Sequence, residues 1–160
     1  MYDVAVIGCG IVGAAAAYEL SRYNCRVLVL EAKNDVANVT TKANSAILHA
    51  GYDPTPGTLM AETNVRGVAL AKELCEKLPY RNNGSLVLAF GEEDERHLEK
   101  LYQQGLANGV PGIELLTADE VHALEPNVSD KVTAALYAPT AAIVSPWEYA
   151  LALAETAGVN

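Results

Sequence analysis

Gly8, Gly10 and Gly13 stand in GxGxxG spacing, and Glu31 closes the next apolar run, within YDVAVIGCGIVGAAAAYELSRYNCRVLVLEAK. That combination suits a dinucleotide. A glycine at 8 makes a tight turn, one at 10 lets main chain approach a pyrophosphate, and one at 13 lets a helix pack closely on a strand. The helix start, with Ile11 and Val12, presents unpaired N–H groups and a positive dipole end to the diphosphate, so no basic side chain is required. Glu31, with Ala32 beside it, is placed to accept the adenosine ribose hydroxyls, and its charge disfavours a 2′-phosphate and hence NADP. Three glycines alone could serve a close strand-to-helix turn and nothing more. Strand, spacing, helix and terminal acid together favour the ligand.

The fingerprint does not choose between NAD and FAD, because the two share their ADP half. The next segment bears on that choice. A nicotinamide domain usually proceeds quickly to further βαβ crossovers, whereas VANVTTKANSAILHAGYDPTPGTLMAETN intervenes here before the next long helix. Thr40, Thr41, Asn44 and Ser45 supply hydroxyls and amides that can reach phosphates and a polar ring edge without adding charge. Extended FAD fits that description, and an ordinary polar surface loop is the alternative. Lys42 is either a surface charge or a phosphate partner.

Other chemistry-bearing residues have plainer readings. His97 lies in the acidic stretch EEDERHLEK and His122 follows a capping box, and no spacing joins them with carboxylates into a metal site. Trp147 reads as a packing anchor. Cys9, Cys25 and Cys75 are an odd number without CxxC spacing, which fits a reduced compartment and a cytoplasmic protein; Cys9 itself reads as a small filler. A net charge of −9, with no Lys/Arg cluster, argues against nucleic acid and anionic membrane surfaces as partners. No apolar run reaches the ~18 residues a membrane-spanning helix needs.

The elements that must position these residues are mixed α/β. Residues 2–7 read as a buried parallel strand, 10–23 as an alanine-rich helix and 26–30 as a second strand, the start of a βαβ unit. Residues 35–56 read as a long ordered loop, 58–78 as an amphipathic helix and 84–90 as a strand. Residues 92–108 form a polar helix, 113–116 a short strand, and Thr117 with Glu120 a capping box opening a helix that ends near Pro126. A strand over 132–138 follows, and Ser145-Pro146 opens a last helix running to about Gly158. The expected fold is therefore α/β: a Rossmann-like unit, a parallel sheet with helices, over 1–78; part of an inserted α+β substrate (cap) domain over 79–144; and a helix over 145–160 returning to the first unit.

On DVAVIGCGIVGAAAAYEL, TTKANSAILHAGYDPTPGTLMA, NGSLVLAF, LTADEVHALEPNVS and ALYAPTAAIVSPWEYALALAETA the chain resembles FAD-dependent oxidoreductases of the D-amino-acid oxidase superfamily. Within it, the likeness is to the anaerobic-type glycerol-3-phosphate dehydrogenases and the L-2-hydroxyglutarate oxidases. The resemblance implies bound FAD, hydride transfer from a small hydroxy substrate to flavin N5, and glycerol 3-phosphate as leading substrate. It also implies that the ILHAG stretch passes near the flavin, so that His49 contacts the ring and could act there as a base. Relatives are longer, and the sequence resembles an N-terminal fragment of one. The alternatives are a nucleotide-binding fragment without catalysis, an L-2-hydroxyglutarate or amino-acid oxidase, and an NAD-dependent dehydrogenase. The electron acceptor is not legible.

Overall fold

The computed structural model describes residues 1–75, 78 and 80–159. Two compact units share the chain: Met1–Ile47 with Lys77–Pro79 and Val144–Asn160, and Leu48–Glu76 with Tyr80–Ile143. Residues 48–75, read above with the nucleotide-binding part, therefore group with the second unit. Pro79, the expected point of handover, lies outside the described residues.

The first unit starts with β1 (Val4–Ile7), α1 (Ile11–Leu20) and β2 (Val27–Leu30). β1 and β2 pair in parallel, with Val4 opposite Val27 and Ile7 opposite Leu30. At the strand starts, Asp3 accepts from the Arg26 main chain at 2.9 Å and from its guanidinium at 3.1 Å, which holds the register from the edge opposite the glycines. Those hydrogen bonds, side chain first, also keep the Asp3 carboxyl below its usual range. A 3₁₀ turn, Thr40–Lys42, interrupts the long loop, and the two-residue strand β3 (Ile47–Leu48) ends it. The last helix, α5 (Pro146–Val159), packs along α1. Both helices are rich in alanine, and Ala14, Ala17 and Ala150 are buried, so the helix axes can come close. α5 begins at its proline as expected, but the Ser145 hydroxyl does not cap it. That hydroxyl is buried with no partner, and only the Ser145 carbonyl is engaged, accepting from Tyr149 N–H at 3.0 Å.

In the second unit α2 (Leu59–Leu74) is capped by Thr58, whose hydroxyl accepts from Ala61 N–H at 3.3 Å. The helix is shorter than the expected 58–78: Leu78 lies in a bend beyond it, and the proline that follows disfavours helical backbone there. Strand β4 (Tyr80–Arg81) precedes β5 (Ser85–Ala89), α3 (Glu92–Asn108), β6 (Glu114–Thr117), α4 (Ala118–Leu124), β7 (Ala134–Ala138) and β8 (Ala142–Val144). Neither β4 nor β8 was expected from sequence. Each is too short to display an alternation of period two.

β5, β7 and β6 form an antiparallel sheet with β7 at its centre. Along β7, Leu136 and Ala138 join the cluster of Leu98, Leu101 and Ile113, whereas Ala135 joins Val121 and Val132 on the other face. Both faces are thus covered, one by α3 and the other by α4. Thr117 and Glu120 form the expected capping box, the Thr117 N–H and hydroxyl donating to the carboxylate at 2.8 and 2.7 Å. Leu136, fully buried at the centre of the sheet, is expected to cost about 2–5 kcal/mol when replaced by alanine, whereas Leu115 on the partly exposed edge strand costs far less. Urea unfolding of the two variants checks the contrast.

Candidate functional site

The site grows from three glycines that do different work. Gly8 has φ of +94°, a left-handed conformation that L side chains rarely adopt, and this turns the chain out of β1. A Cβ on Gly13 would lie 1.9 Å from the Gly8 carbonyl oxygen, so α1 can begin against the strand end only if residue 13 has no side chain. A Cβ on Gly10 would stand 3.0 Å from Thr41 Oγ1, which is tight; beside Gly8, nothing lies within 4 Å.

The loop between them is held from behind. The parallel register brings Glu31 next to it, and the Glu31 carboxylate accepts from Cys9 N–H at 2.7 Å and from Lys33 N–H at 2.8 Å. The Cys9 carbonyl in turn accepts from Ala37 N–H at 2.9 Å. Both main-chain groups of Cys9 are thereby satisfied. The hydrogen bond from Cys9, then that from Lys33, holds the Glu31 carboxyl below its ordinary range, so the acid stays charged. Burial, helped by the Glu31 charge, pushes the Cys9 thiol up, which suits a buried filler and not a nucleophile.

In front, the loop is open. Thr41 Oγ1 accepts from Ile11 N–H at 3.0 Å and so satisfies one of the orphan donors at the start of α1. Among the described residues none accepts from the N–H groups of Gly10, Val12 or Gly13. They border a cleft of about 590 Å³ that runs from Val6 and Ile7 past the glycines to Thr40, Thr41 and Asn44. Ile7 and Val12 are 88% and 81% exposed beside it, unusual for apolar residues at the end of a buried-type strand and the start of a helix. Among the described residues no cationic side chain lines the cleft, so an anion there would be held by main-chain N–H groups and the helix dipole. Lys42 is exposed and its ammonium is engaged by Asn38.

Asn44 donates to the Thr41 carbonyl and accepts from Ala46 N–H at 2.7 Å, shaping the turn after Thr41. Thr40 lines the cleft, Ser45 is exposed outside its lining, and Ala32 is exposed next to Glu31. His49 belongs to the second unit, where its side chain is exposed and its carbonyl accepts from Asn64 Nδ2 at 2.5 Å. Cys9 and Glu31 also border a second cleft, of about 380 Å³, whose other walls are apolar and include Val27, Val29 and Val36. Sequence reasoning did not foresee that cleft, nor Thr41 as the partner of Ile11 N–H, a contact across thirty positions that no local pattern encodes.

Among the described residues no cluster of three or more His, Cys, Asp or Glu could hold a metal, and no helix is long and apolar enough to cross a membrane. The arrangement fits a dinucleotide: free N–H donors on an open face, space where a Cβ would intrude, and a charged carboxylate fixed at the neighbouring strand end.

Comparison with known proteins agrees. The family model described as FAD dependent oxidoreductase matches residues 3–160. A glycerol 3-phosphate dehydrogenase from Caloramator mitchellensis is 52% identical over 100% of this chain and 34% of its own length. A mitochondrial L-2-hydroxyglutarate dehydrogenase from Dictyostelium discoideum is 35% identical over 90% of this chain and 33% of its own. Among solved structures, an L-alpha-glycerophosphate oxidase from Mycoplasma pneumoniae with FAD bound superposes with a TM-score of 0.92 at 34% identity, over 99% of this chain and 42% of that one. The chain thus spans about a third of the length of these two sequence relatives.

The lowered carboxyl of Glu31 sets a pH test. Its folded-state value lies below the unfolded one, so its contribution to stability is complete above the unfolded range, about 4.3, and is lost as pH falls through the depressed folded value. Thermal unfolding between pH 3 and 7 is expected to show wild type ahead of Glu31→Gln by a constant margin near neutrality that shrinks only in acid. A margin that vanishes by pH 6 contradicts the assignment.

Proposed function

We propose that this chain, which belongs to the FAD dependent oxidoreductase family, holds FAD and serves the oxidation of a small hydroxy substrate, with glycerol 3-phosphate first among candidates. The observation that carries the reading is the cation-free cleft bordered by unpartnered N–H groups at the start of α1, with the Glu31 carboxylate fixed beside it. Gly10, Val12 and Gly13 receive the diphosphate on their main chain, and Ile11 joins them when its N–H leaves Thr41 Oγ1. Thr40 and Thr41 give hydroxyls to the same group, and Asn44 and Ser45 shape and extend that edge. Glu31 exchanges its bond to Cys9 N–H for the ribose hydroxyls, with Ala32 alongside. The apolar cleft next to Glu31 has walls suited to a purine.

FAD, when bound, supplies the redox chemistry, taking a hydride equivalent from the carbon that bears the substrate hydroxyl. The chain's own residues bind and orient it and keep charge off the diphosphate cleft. His49 contacts the flavin ring and is the candidate to take the hydroxyl proton, its exposed imidazole being free to do so. The second unit belongs to an inserted substrate-binding region, and the protein works in the cytoplasm, where its three free thiols persist.

L-2-Hydroxyglutarate is the second substrate candidate, because a dehydrogenase of that name is 35% identical. Purified, FAD-reconstituted protein is expected to be yellow and to bleach anaerobically with glycerol 3-phosphate and not with L-2-hydroxyglutarate. Bleaching by the latter alone reverses the order of substrates, and failure to retain FAD overturns the reading. A side chain at position 10, as in Gly10→Val, is expected to lower FAD affinity at least a hundredfold, read by flavin fluorescence, through loss of the diphosphate approach. Equal affinities for ADP and FAD would favour a nucleotide-binding role without catalysis.

A further inference from the structure

Between His49 and Pro54 the main chain of the second unit is gripped by side-chain amides. Asn64 on α2 donates to the His49 carbonyl at 2.5 Å. Gln104 on α3 donates to the carbonyls of Tyr52 and Asp53, at 3.4 and 3.1 Å, and Asn108 to those of Gly51 and Pro54, at 2.9 and 2.7 Å. Four successive carbonyls are thus taken by two side chains one helical turn apart, on one face of α3. Gly105 lies between them, and a Cβ there would stand 3.1 Å from Tyr52 Cβ and 2.3 Å from Ile113 Cδ1. The helix meets the loop closely, so that a side chain at 105 would press on Tyr52 and displace the end of Ile113.

A surface loop ordinarily gives such carbonyls to water. Here they accept from side-chain amides of α2 and α3. Asn108 turns both amide hydrogens towards the loop and leaves its own Oδ1 buried with no partner, a cost that a space-filling residue would not incur. On the preceding side, Gly51 has φ of +105° and a Cβ there would lie 2.7 Å from Val65, so the loop is also pressed against α2. His49 itself has an exposed ring, so its place is set by its main chain.

We propose that Asn64, Gln104 and Asn108 are positioning residues, an amide clamp that holds residues 49–54 and so fixes the His49 ring for its contact with the flavin. The inference rests on the role given to His49 above. The clamp acts on the histidine through the main chain and touches neither substrate nor flavin.

The test compares His49→Ala, Asn108→Asp and Gln104→Glu in the FAD-loaded protein. The two clamp variants keep shape but set acceptors against carbonyls. Gln104→Met, which keeps length and helix propensity, stands in should a charged variant not fold. Gln103→Glu is the control, since among the described residues the Gln103 side chain bonds only Glu99, on the exposed face of α3. The clamp variants are expected to alter the visible spectrum of bound flavin in the same sense as His49→Ala and to weaken FAD binding roughly tenfold, the size of one or two neutral hydrogen bonds. Amide exchange at residues 51–54 of the flavin-free protein is expected to quicken at least tenfold, with Gln103→Glu unchanged. If His49→Ala changes the flavin spectrum and folded clamp variants do not, the clamp is overturned while the role of His49 stands. If His49→Ala leaves spectrum and affinity at wild-type values, the role of His49 fails and takes the proposal with it.

Discussion

A missing side chain at Gly13 is the constraint on which the site depends. Because nothing projects from that residue, α1 starts in contact with the Gly8 carbonyl, and its first N–H groups come to lie beside the end of β1. A single Cβ at that point would overlap the strand and push the helix away. The donors would then lose their common direction. Everything proposed for the cleft follows from this approach, since the chain carries net negative charge and places no cation there. An anion there is held by fixed main-chain dipoles, with hydroxyls and no charge beside them.

Glu31 completes the arrangement by closing the rear of the loop. The parallel register puts the end of β2 level with the glycines, and the carboxylate takes the Cys9 N–H that would otherwise have no partner. The same acid is thus a strut in the ligand-free chain and, on the proposed function, the ribose acceptor when nucleotide is present. Hydrogen bonds from the Cys9 and Lys33 N–H groups keep it ionised in the ligand-free chain. The second unit follows another logic, in which an antiparallel sheet covered on both faces carries a loop held by side chains of its own helices.

Much of this was legible in the residues. The glycine spacing, the acid at the end of β2, the Thr117–Glu120 capping box and the proline that opens α5 are local signals, and each rests on a short-range steric or hydrogen-bonding rule. What was not legible depends on partners distant in sequence. Thr41 meeting Ile11, and Gln104 and Asn108 meeting residues 51–54, require the tertiary fold to bring donor and acceptor together. Strands β4 and β8 escaped because two or three residues cannot show a period, and the end of α2 because apolar spacing continued to Leu78 after the helix had stopped. Ser145 misled in the opposite sense: its type and place announce a cap, yet its hydroxyl finds no donor.

On the proposed function the main chain at the start of α1 receives a dinucleotide diphosphate. The direct measurement is a titration of ¹⁵N-labelled protein with FAD, followed through the amide resonances of Gly10, Val12 and Gly13. Large, saturable shifts at these three, with a further shift at Cys9 as Glu31 turns to the ribose, are the result this account requires. Saturable binding that leaves all four resonances in place while shifting others would contradict it.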